Sequence, residues 1–296
     1  MKKNNLKAWL YLAPAILFLG VFMVYPLIDV CVYSLEENYN FASQASTGVG
    51  LGNFRFVLSD PYFVQALKNT FLIVIITVPL STGFALLISL GLSSIRTLRN
   101  LYQTVYFLPY VTNTLAVGLV FMILFRKTEY SEGLVNLLIT RLGGSTVDFI
   151  EGPYWAKMFV MCFYTIWVVM PFKILILTSA LASVNPDYYK AARVDGASSF
   201  RIFRKITLPM MTPSLIAGAL LVFVCAASCY GIPSIIGAPG NVHTVTTRII
   251  EYYGLGVQGI NDATGLAVFL ILIALLVLYI SDVDRKSTRL NSSHIT

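Results

Sequence analysis

Residues able to make or break bonds are few in this sequence and scattered. Cys31, Cys162, Cys225 and Cys229 all lie in apolar stretches and only the last two are close, so neither a disulfide framework nor a metal knuckle is indicated. His243 is the only histidine before the C-terminal tail, and a lone histidine makes no metal site. There is no GxxxxGKS phosphate loop, no HExxH and no nucleophile elbow, so the chain lacks the parts to hydrolyse ATP or another substrate. No catalytic residue, resident metal or cofactor is expected in it. What remains are polar groups in apolar surroundings, Lys173 in MPFKIL and Asp29 after Pro26, and one basic, proline-bounded segment, NPDYYKAARVDGASSFRIFRKITLPMMTP, from Asn185 to Pro213.

The elements that must position these groups follow from composition. Of 296 residues, 57% are hydrophobic and 12% charged. An ordinary soluble domain carries about 25% charged residues, so the solvent implied is lipid. Apolar runs of about 20 residues, enough to cross a bilayer core, recur along the chain. They predict an all-α polytopic membrane protein with six spans, at about 9–34, 67–92, 104–125, 157–181, 212–236 and 264–281. Each span must be helical, because lipid offers the backbone no other hydrogen-bond partner. The first run follows Lys2, Lys3 and Lys7 like a signal peptide. It continues past Pro26 without a small-residue cleavage site and reads as an uncleaved span.

Lys and Arg mark cytoplasmic connections. The N-terminus (Lys2, Lys3, Lys7), the second loop (Arg96, Arg99) and the fourth (Lys190, Arg193, Arg201, Arg204, Lys205) are therefore expected inside. The first loop sets Glu36, Glu37 and Asp60 against Arg55 and Lys68. The third sets Glu129, Glu132, Asp148 and Glu151 against Arg126, Lys127 and Arg141, and both are expected outside. The alternation supports six spans and leaves both termini cytoplasmic. It also accounts for the net charge of +7 as a topology signal, and no aromatic RNA-reading motif accompanies the cations. After Ile280 the sequence becomes SDVDRKSTRLNSSHIT; residues 282–296 read either as a solvated basic tail or as a translated sequencing adapter.

The Asn185–Pro213 segment predicts two short helices. Pro186 suits a first helical turn, Ala191 and Ala192 favour helix, and Gly196 allows a sharp turn. Phe200, Ile202, Phe203 and Ile206 then face one way and Arg201, Arg204 and Lys205 the other, until Pro209 and Pro213 stop this piece and start the fifth span. Ala191-Ala192, three residues, Gly196, nine residues, Ile206, then Leu208-Pro209 resembles the EAA loop of binding-protein-dependent ABC importer permeases of type I. The resemblance extends through LGNFRFVLSDPYFVQALKNTFLIVI, FLPYVTNTLAVGLVFMILF and WVVMPFKILILTSALASVNPDYYKAARVDGA, covering most of residues 10–281. Those stretches are most like carbohydrate-uptake permeases, whereas GIPSIIGAPGNVHTVTTRI is closer to permeases for polyamines or ferric iron.

The resemblance implies a permease domain over 66–281, preceded by a first helix and external loop in 1–65. Within it, 186–209 is a coupling loop that docks on a cytoplasmic ATPase. Its residues are Lys190, Ala191, Ala192, Asp195, Gly196, Ile206, Leu208 and Pro209. The family's acidic residue before the alanines is Lys190 here, which implies a partner surface of altered charge or reliance on Asp187 and Asp195. The implied partners are two ATP-binding subunits that use ATP and Mg, a second permease subunit of a different chain, an extracytoplasmic solute-binding protein and membrane lipid. Nucleic acid is not among them. The location implied is the bacterial inner membrane and the cargo a sugar or sugar-like polyol, with polyamine or ferric iron as the alternative. An ion-driven secondary carrier would also fit six spans and Lys173, but no convincing internal repeat is seen and such a carrier needs no coupling loop.

Asn113, Trp167, Lys173, Cys229 and Tyr230 are the candidate pathway residues, since aromatic faces and amides suit hydroxylated rings. Each has a structural alternative. A buried Lys173 costs at least about 2.5 kcal/mol and must face a cavity or partner, unless the helix is shifted and it snorkels. Tyr106, Tyr110, Asn113 and Thr114 around Pro109 fit an aromatic belt. Asp29 fits the outer interface. Pro171, Pro233 and Pro239 interrupt or end helices, and Gly231–Gly240 is either a ligand-lining break or an exit turn.

Overall fold

A computed structural model describes residues 2–40, 43, 45–95, 99–256 and 259–293, and the side chains among them other than 2–6, 8, 99, 100, 103 and 282–293. Lys2, Lys3, Arg96 and Arg99, four of the orienting cations, therefore lie outside the described side chains. The chain is almost entirely helical. Five helices are long and apolar enough to span a bilayer: Trp9–Leu35, Pro61–Ser94, Tyr154–Ser183, Ser199–Ala227 and Gly259–Ser281. The bent pair Thr104–Val111 and Thr114–Phe125 supplies a sixth if counted as one span.

Two compact units are distinguished. The first comprises 1–64 and 248–277. In it α1 (Lys2–Leu19) passes through a π-helical turn, Gly20–Val24, into α2 (Tyr25–Leu35). β1 (Glu36–Glu37) pairs antiparallel with β2 (Gly48–Val49), and α3 (Gly52–Ser59) follows. Asn53 ties these pieces together, donating from Nδ2 to Ser34 O at 3.0 Å and Glu36 O at 2.9 Å. Phe63 at the start of α4 (Pro61–Ser94) meets Phe269 of α13 (Gly259–Ser293) edge-on, with centroids 5.3 Å apart. The backbone of α13 stays helical through the polar end of the sequence to Ser293.

The second unit comprises 65–247 and 278–296. It holds most of α4, then α5 (Arg99–Val111), α6 (Thr114–Phe125), α7 (Leu134–Arg141), α8 (Tyr154–Ser183), α9 (Pro186–Val194), α10 (Ser199–Ile202) and α11 (Leu208–Ala227). α12 (Val245–Gly254) begins in this unit. α8 is its axis, packing against α5 and α11. The main core joins Phe121, Phe125, Met161, Tyr164, Ile232, Ile236 and Val242, all buried.

Three expectations are corrected here. The third span is not one helix but bends by 99° between Val111 and Thr114. Pro109 lacks an N–H, and Thr112 Oγ1 donates to Leu108 O at 2.8 Å, closing the first helix. Asn113 is extended and restarts the chain as a cap, its Oδ1 accepting from the N–H groups of Leu115 (2.9 Å) and Ala116 (3.1 Å). Secondly, the fifth span is Ser199–Ala227 rather than 212–236. Residues beyond Ala227 leave the helix and coil through a π turn, Pro233–Gly237, and a 3-10 turn, Ala238–Gly240. This segment buries Ile232, Ile236 and Val242 against α6 and α8, so its apolar character reflects core packing, not continuation of the span. A Cβ on Gly237 would stand 2.5 Å from Val242 O, which is why a residue without one is needed there.

Thirdly, Pro209 and Pro213 do not stop the second coupling helix. α10 runs through a π-helical turn, Phe203–Thr207, directly into α11. The wider turn lies just before Pro209 and absorbs the crowding that a proline ring imposes on the preceding turn.

Candidate functional site

The Asn185–Thr207 segment is built by two N-caps and a Schellman closure between them. Asn185 Oδ1 accepts from Asp187 N at 2.9 Å, starting α9 with Pro186 in its first turn. At the other end Ala197 N donates to Ala192 O at 2.9 Å and Gly196 N to Arg193 O at 3.1 Å, a Schellman closure with Gly196 left-handed at φ +76°. Ser198 then caps α10 through Arg201 N. Asp187 sits at the positive end of α9 and pairs with Lys190 at 2.9 Å on the exposed surface. The side chain that replaces the expected acid thus meets an acid one turn earlier in its own helix.

Two faces result. Ile202 and Thr207 are buried, and Thr207 Oγ1 donates to Tyr189 OH at 3.4 Å, joining α9 to the base of the fifth span. Ala192, Ile206 and Leu208 are half-buried on this side. Lys190, Ala191, Asp195, Gly196 and Pro209 are exposed, together with Val194 at 88% and Phe200 at 71%. Two large apolar side chains held in the open beside a rigid turn are what a docking ridge requires. α10 and α11 form one continuous helix, so Phe200 stands on the same helix as the fifth span, while α9 joins it through the Gly196 turn.

The pathway candidates separate. Trp167 packs on Phe121 with centroids 5.5 Å apart and borders two apolar cavities, of 800 and 480 Å³. Cys229 packs against the same core, and Tyr230 beside it is exposed. Asn113 is exposed, with its carbonyl oxygen engaged as the α6 cap, and Tyr164 O–H donates to Thr114 O at 2.8 Å, fixing the break next to it. Asp29 is half-buried on α2. Lys173 is apart from these. It is 1% exposed, and its Nζ donates to Val78 O (3.1 Å), Ser81 Oγ (2.9 Å) and Thr82 Oγ1, all on α4. It neither snorkels nor sits where α8 ends; its partner is the second span. Sequence reasoning passed over Ser81 and Thr82, although adjacent hydroxyls in an apolar span were a readable complement to a buried ammonium.

A family model described as "Binding-protein-dependent transport system inner membrane component" matches residues 81–284, which include both caps and the whole ridge. The chain belongs to this family. Among similar ABC importer permeases, the lactose transport system permease protein LacF of Rhizobium radiobacter is 31% identical over 216 residues, covering 72% of this chain and 70% of LacF. The trehalose/maltose transport system permease protein MalF of Thermococcus litoralis is 28% identical over 275 residues, 92% of each chain. A crystal structure of a bacterial alginate ABC transporter, in complex with an alginate pentasaccharide-bound periplasmic protein, superposes with a TM-score of 0.77 at 21% identity, covering 94% of this chain and 93% of that one. A second structure, of a transporter importing alginate, gives 0.78 at 20%. These two likenesses establish the fold, which is that of ABC importer permeases.

Proposed function

We propose that this inner-membrane permease forms the solute pathway of an ATP-driven importer for a sugar or sugar-like polyol. The observation that carries the reading is the ridge from Lys190 to Phe200, closed by Gly196 and continuous with the fifth span. It supports docking of an ATPase subunit at Lys190, Ala191, Ala192, Asp195 and Gly196, with Ile206, Leu208 and Pro209 conveying the movement into the membrane. One such ridge serves one ATPase, so the working complex has two ATP-binding subunits that consume ATP and Mg, and a second permease chain. An extracytoplasmic binding protein delivers the solute. Both termini face the cytoplasm. The relatives named for lactose, trehalose and maltose support the sugar class, and the aromatic faces of Trp167, at an apolar cavity, and of exposed Tyr230, next to Cys229, suit a hydroxylated ring. Asn113 and Lys173 act on that route through the α6 break and the α4–α8 contact.

The test is to purify the tagged permease from its native membrane and titrate the copurifying binding protein with sugars, spermidine and ferric iron by calorimetry. Sugar binding is the expected result. Binding of spermidine or ferric iron instead would make the Gly231–Gly240 stretch the better guide to cargo.

A further inference from the structure

Between the end of α11 at Ala227 and the start of α12 at Val245 the chain coils through short turns, and residues 242–244 belong to no regular element. Backbone groups buried in such a stretch must find partners. Val245 opens α12, so its N–H is one that the helix itself cannot satisfy. Two consecutive residues of α4 hold the carbonyl and the amide on either side of Thr244. Asn69 Nδ2 donates to His243 O at 2.7 Å, and Thr70 Oγ1 accepts from Val245 N at 3.0 Å. Both α4 side chains are buried, and both are themselves held. Tyr154 of α8 donates its hydroxyl to Asn69 Oδ1 at 2.7 Å, which turns the amide nitrogen toward His243. Thr70 Oγ1 gives its own proton to Ala66 O at 2.9 Å, so it meets Val245 as an acceptor.

The coil is also tied back to its own beginning. Thr246, one residue past the anchored Val245, donates from Oγ1 to Cys229 O at 2.7 Å, just where α11 has ended. The two ends of the coil are thereby joined, and the joint is fixed to α4. Cys229 and Tyr230 stand at this joint. Gly231 next to them lies against the start of α6, where an added Cβ would come within 3.3 Å of Thr114 Cγ2. We propose that Asn69 and Thr70 are positioning residues for the solute pathway: without touching solute, they set where Cys229 and Tyr230 stand beside the α5–α6 bend. Ile232, Ile236 and Val242 hold the rest of the coil by apolar packing, which is non-directional, whereas a hydrogen bond fixes distance and angle. Loss of the anchor should therefore displace the joint rather than unfold the coil. The pathway role rests on the importer reading proposed above; the anchor rests on bonds within the chain.

The experiment uses the full chain with its copurifying subunits in proteoliposomes, in a Cys31→Ser/Cys225→Ser background where Cys162 is buried and Cys229 is the thiol followed. Thr70→Val removes the hydroxyl at nearly constant shape, Thr70→Ser keeps it, and Asn69→Leu removes the amide. Labelling of Cys229 by N-ethylmaleimide should accelerate about tenfold in Thr70→Val and Asn69→Leu, the scale of one buried hydrogen bond left unmade, and return to the parent rate in Thr70→Ser. Uptake of maltose, lactose or trehalose per ATP hydrolysed should fall in the same two variants, while hydrolysis stimulated by loaded binding protein is kept. Uptake and hydrolysis lost in parallel would make both residues structural only. Thr70→Val remains informative if Asn69→Leu fails to insert. Failure of both to assemble, unchanged labelling, or no rescue by Thr70→Ser would each overturn the proposal. A parent protein that transports none of the three sugars yet shows the labelling pattern would remove the sugar reading and leave the anchor in place. Sugar transport without the labelling pattern would do the reverse.

Discussion

Lys173 of the fourth span donates to Ser81 of the second at 2.9 Å, with Val78 O and Thr82 Oγ1 completing its shell. An ammonium that is 1% exposed in a lipid-embedded bundle is tolerable only because these three acceptors replace its water. The contact ties α8 to α4 at this level of the bundle. Removing the hydroxyls in Ser81→Ala/Thr82→Val should destabilise the protein by about 1–3 kcal/mol, since the charge stays buried with less to hold it. Adding Lys173→Met to that background should recover much of the loss. Thermal unfolding of the four corners of this cycle in detergent measures the coupling, and simple additivity would mean that the hydroxyls do not hold Lys173.

Gly196 is left-handed, yet a Cβ built there meets nothing within 4 Å. Gly196→Ala and Gly196→Trp should therefore cost the folded chain a similar amount, about 1–2 kcal/mol, from the backbone conformation alone. Only the tryptophan should also abolish uptake while leaving membrane insertion intact, because its bulk projects from the ridge where the ATPase is proposed to dock. Normal uptake by Gly196→Trp would remove the coupling role from this loop.

The Asn185 cap tests whether the rigidity of α9 matters. Asn185→Ala leaves the Asp187 N–H without its acceptor and should cost about 1 kcal/mol, whereas Asn185→Asp should keep most of it. Hydrogen exchange across Pro186–Val194 should accelerate in the alanine variant alone, and ATPase stimulation by loaded binding protein should fall with it. Unchanged exchange would mean that Thr207 and Tyr189 hold the helix unaided.

In the first unit Asp60 caps α4 through Tyr62 N at 3.0 Å, accepts from the Tyr252 hydroxyl, and pairs with Arg248 at 3.0 Å. Burial pushes its acidity the unfavourable way, but the bonds from Tyr252, Tyr62 and Arg248 outweigh it and hold the carboxyl below its ordinary range. Burial first, and the bond to Asp60 second, push the Tyr252 phenol up to about 12, so it stays a donor. A depressed carboxyl contributes stability that is fully present above the unfolded value of about 3.9 and is lost as pH falls through the folded one. Wild type should thus lose melting temperature on acidification below about pH 4, and Asp60→Asn should be less stable at pH 7 with a flatter acid limb. Arg248→Met should cost about 3 kcal/mol by leaving Asp60 buried without its cation. Parallel acid limbs in wild type and Asp60→Asn would contradict this account.

Hydropathy and the spacing of alanine, glycine and proline were enough to predict a helical membrane protein, to locate four of its six predicted spans and to find the turn at Gly196. Those features are local: a span must be apolar along its length, and a Schellman turn must have a residue that accepts positive φ. What the sequence left open is where apolar residues meet protein rather than lipid. The windows at 104–125 and 212–236 are equally apolar whether they continue straight, bend at Asn113 or coil back after Ala227. The choice was made by long-range contacts such as Tyr164 with Thr114 and Ile236 within the core. Lys173 likewise announced a need for acceptors, but which helix supplied them depended on α4 and α8 lying side by side. A polar cavity in the first unit is lined by Glu37 and Phe56 together with Asn261 and Asp262, and no linear pattern relates them. Only packing brings such distant segments together, because tertiary contacts follow surfaces and not sequence intervals.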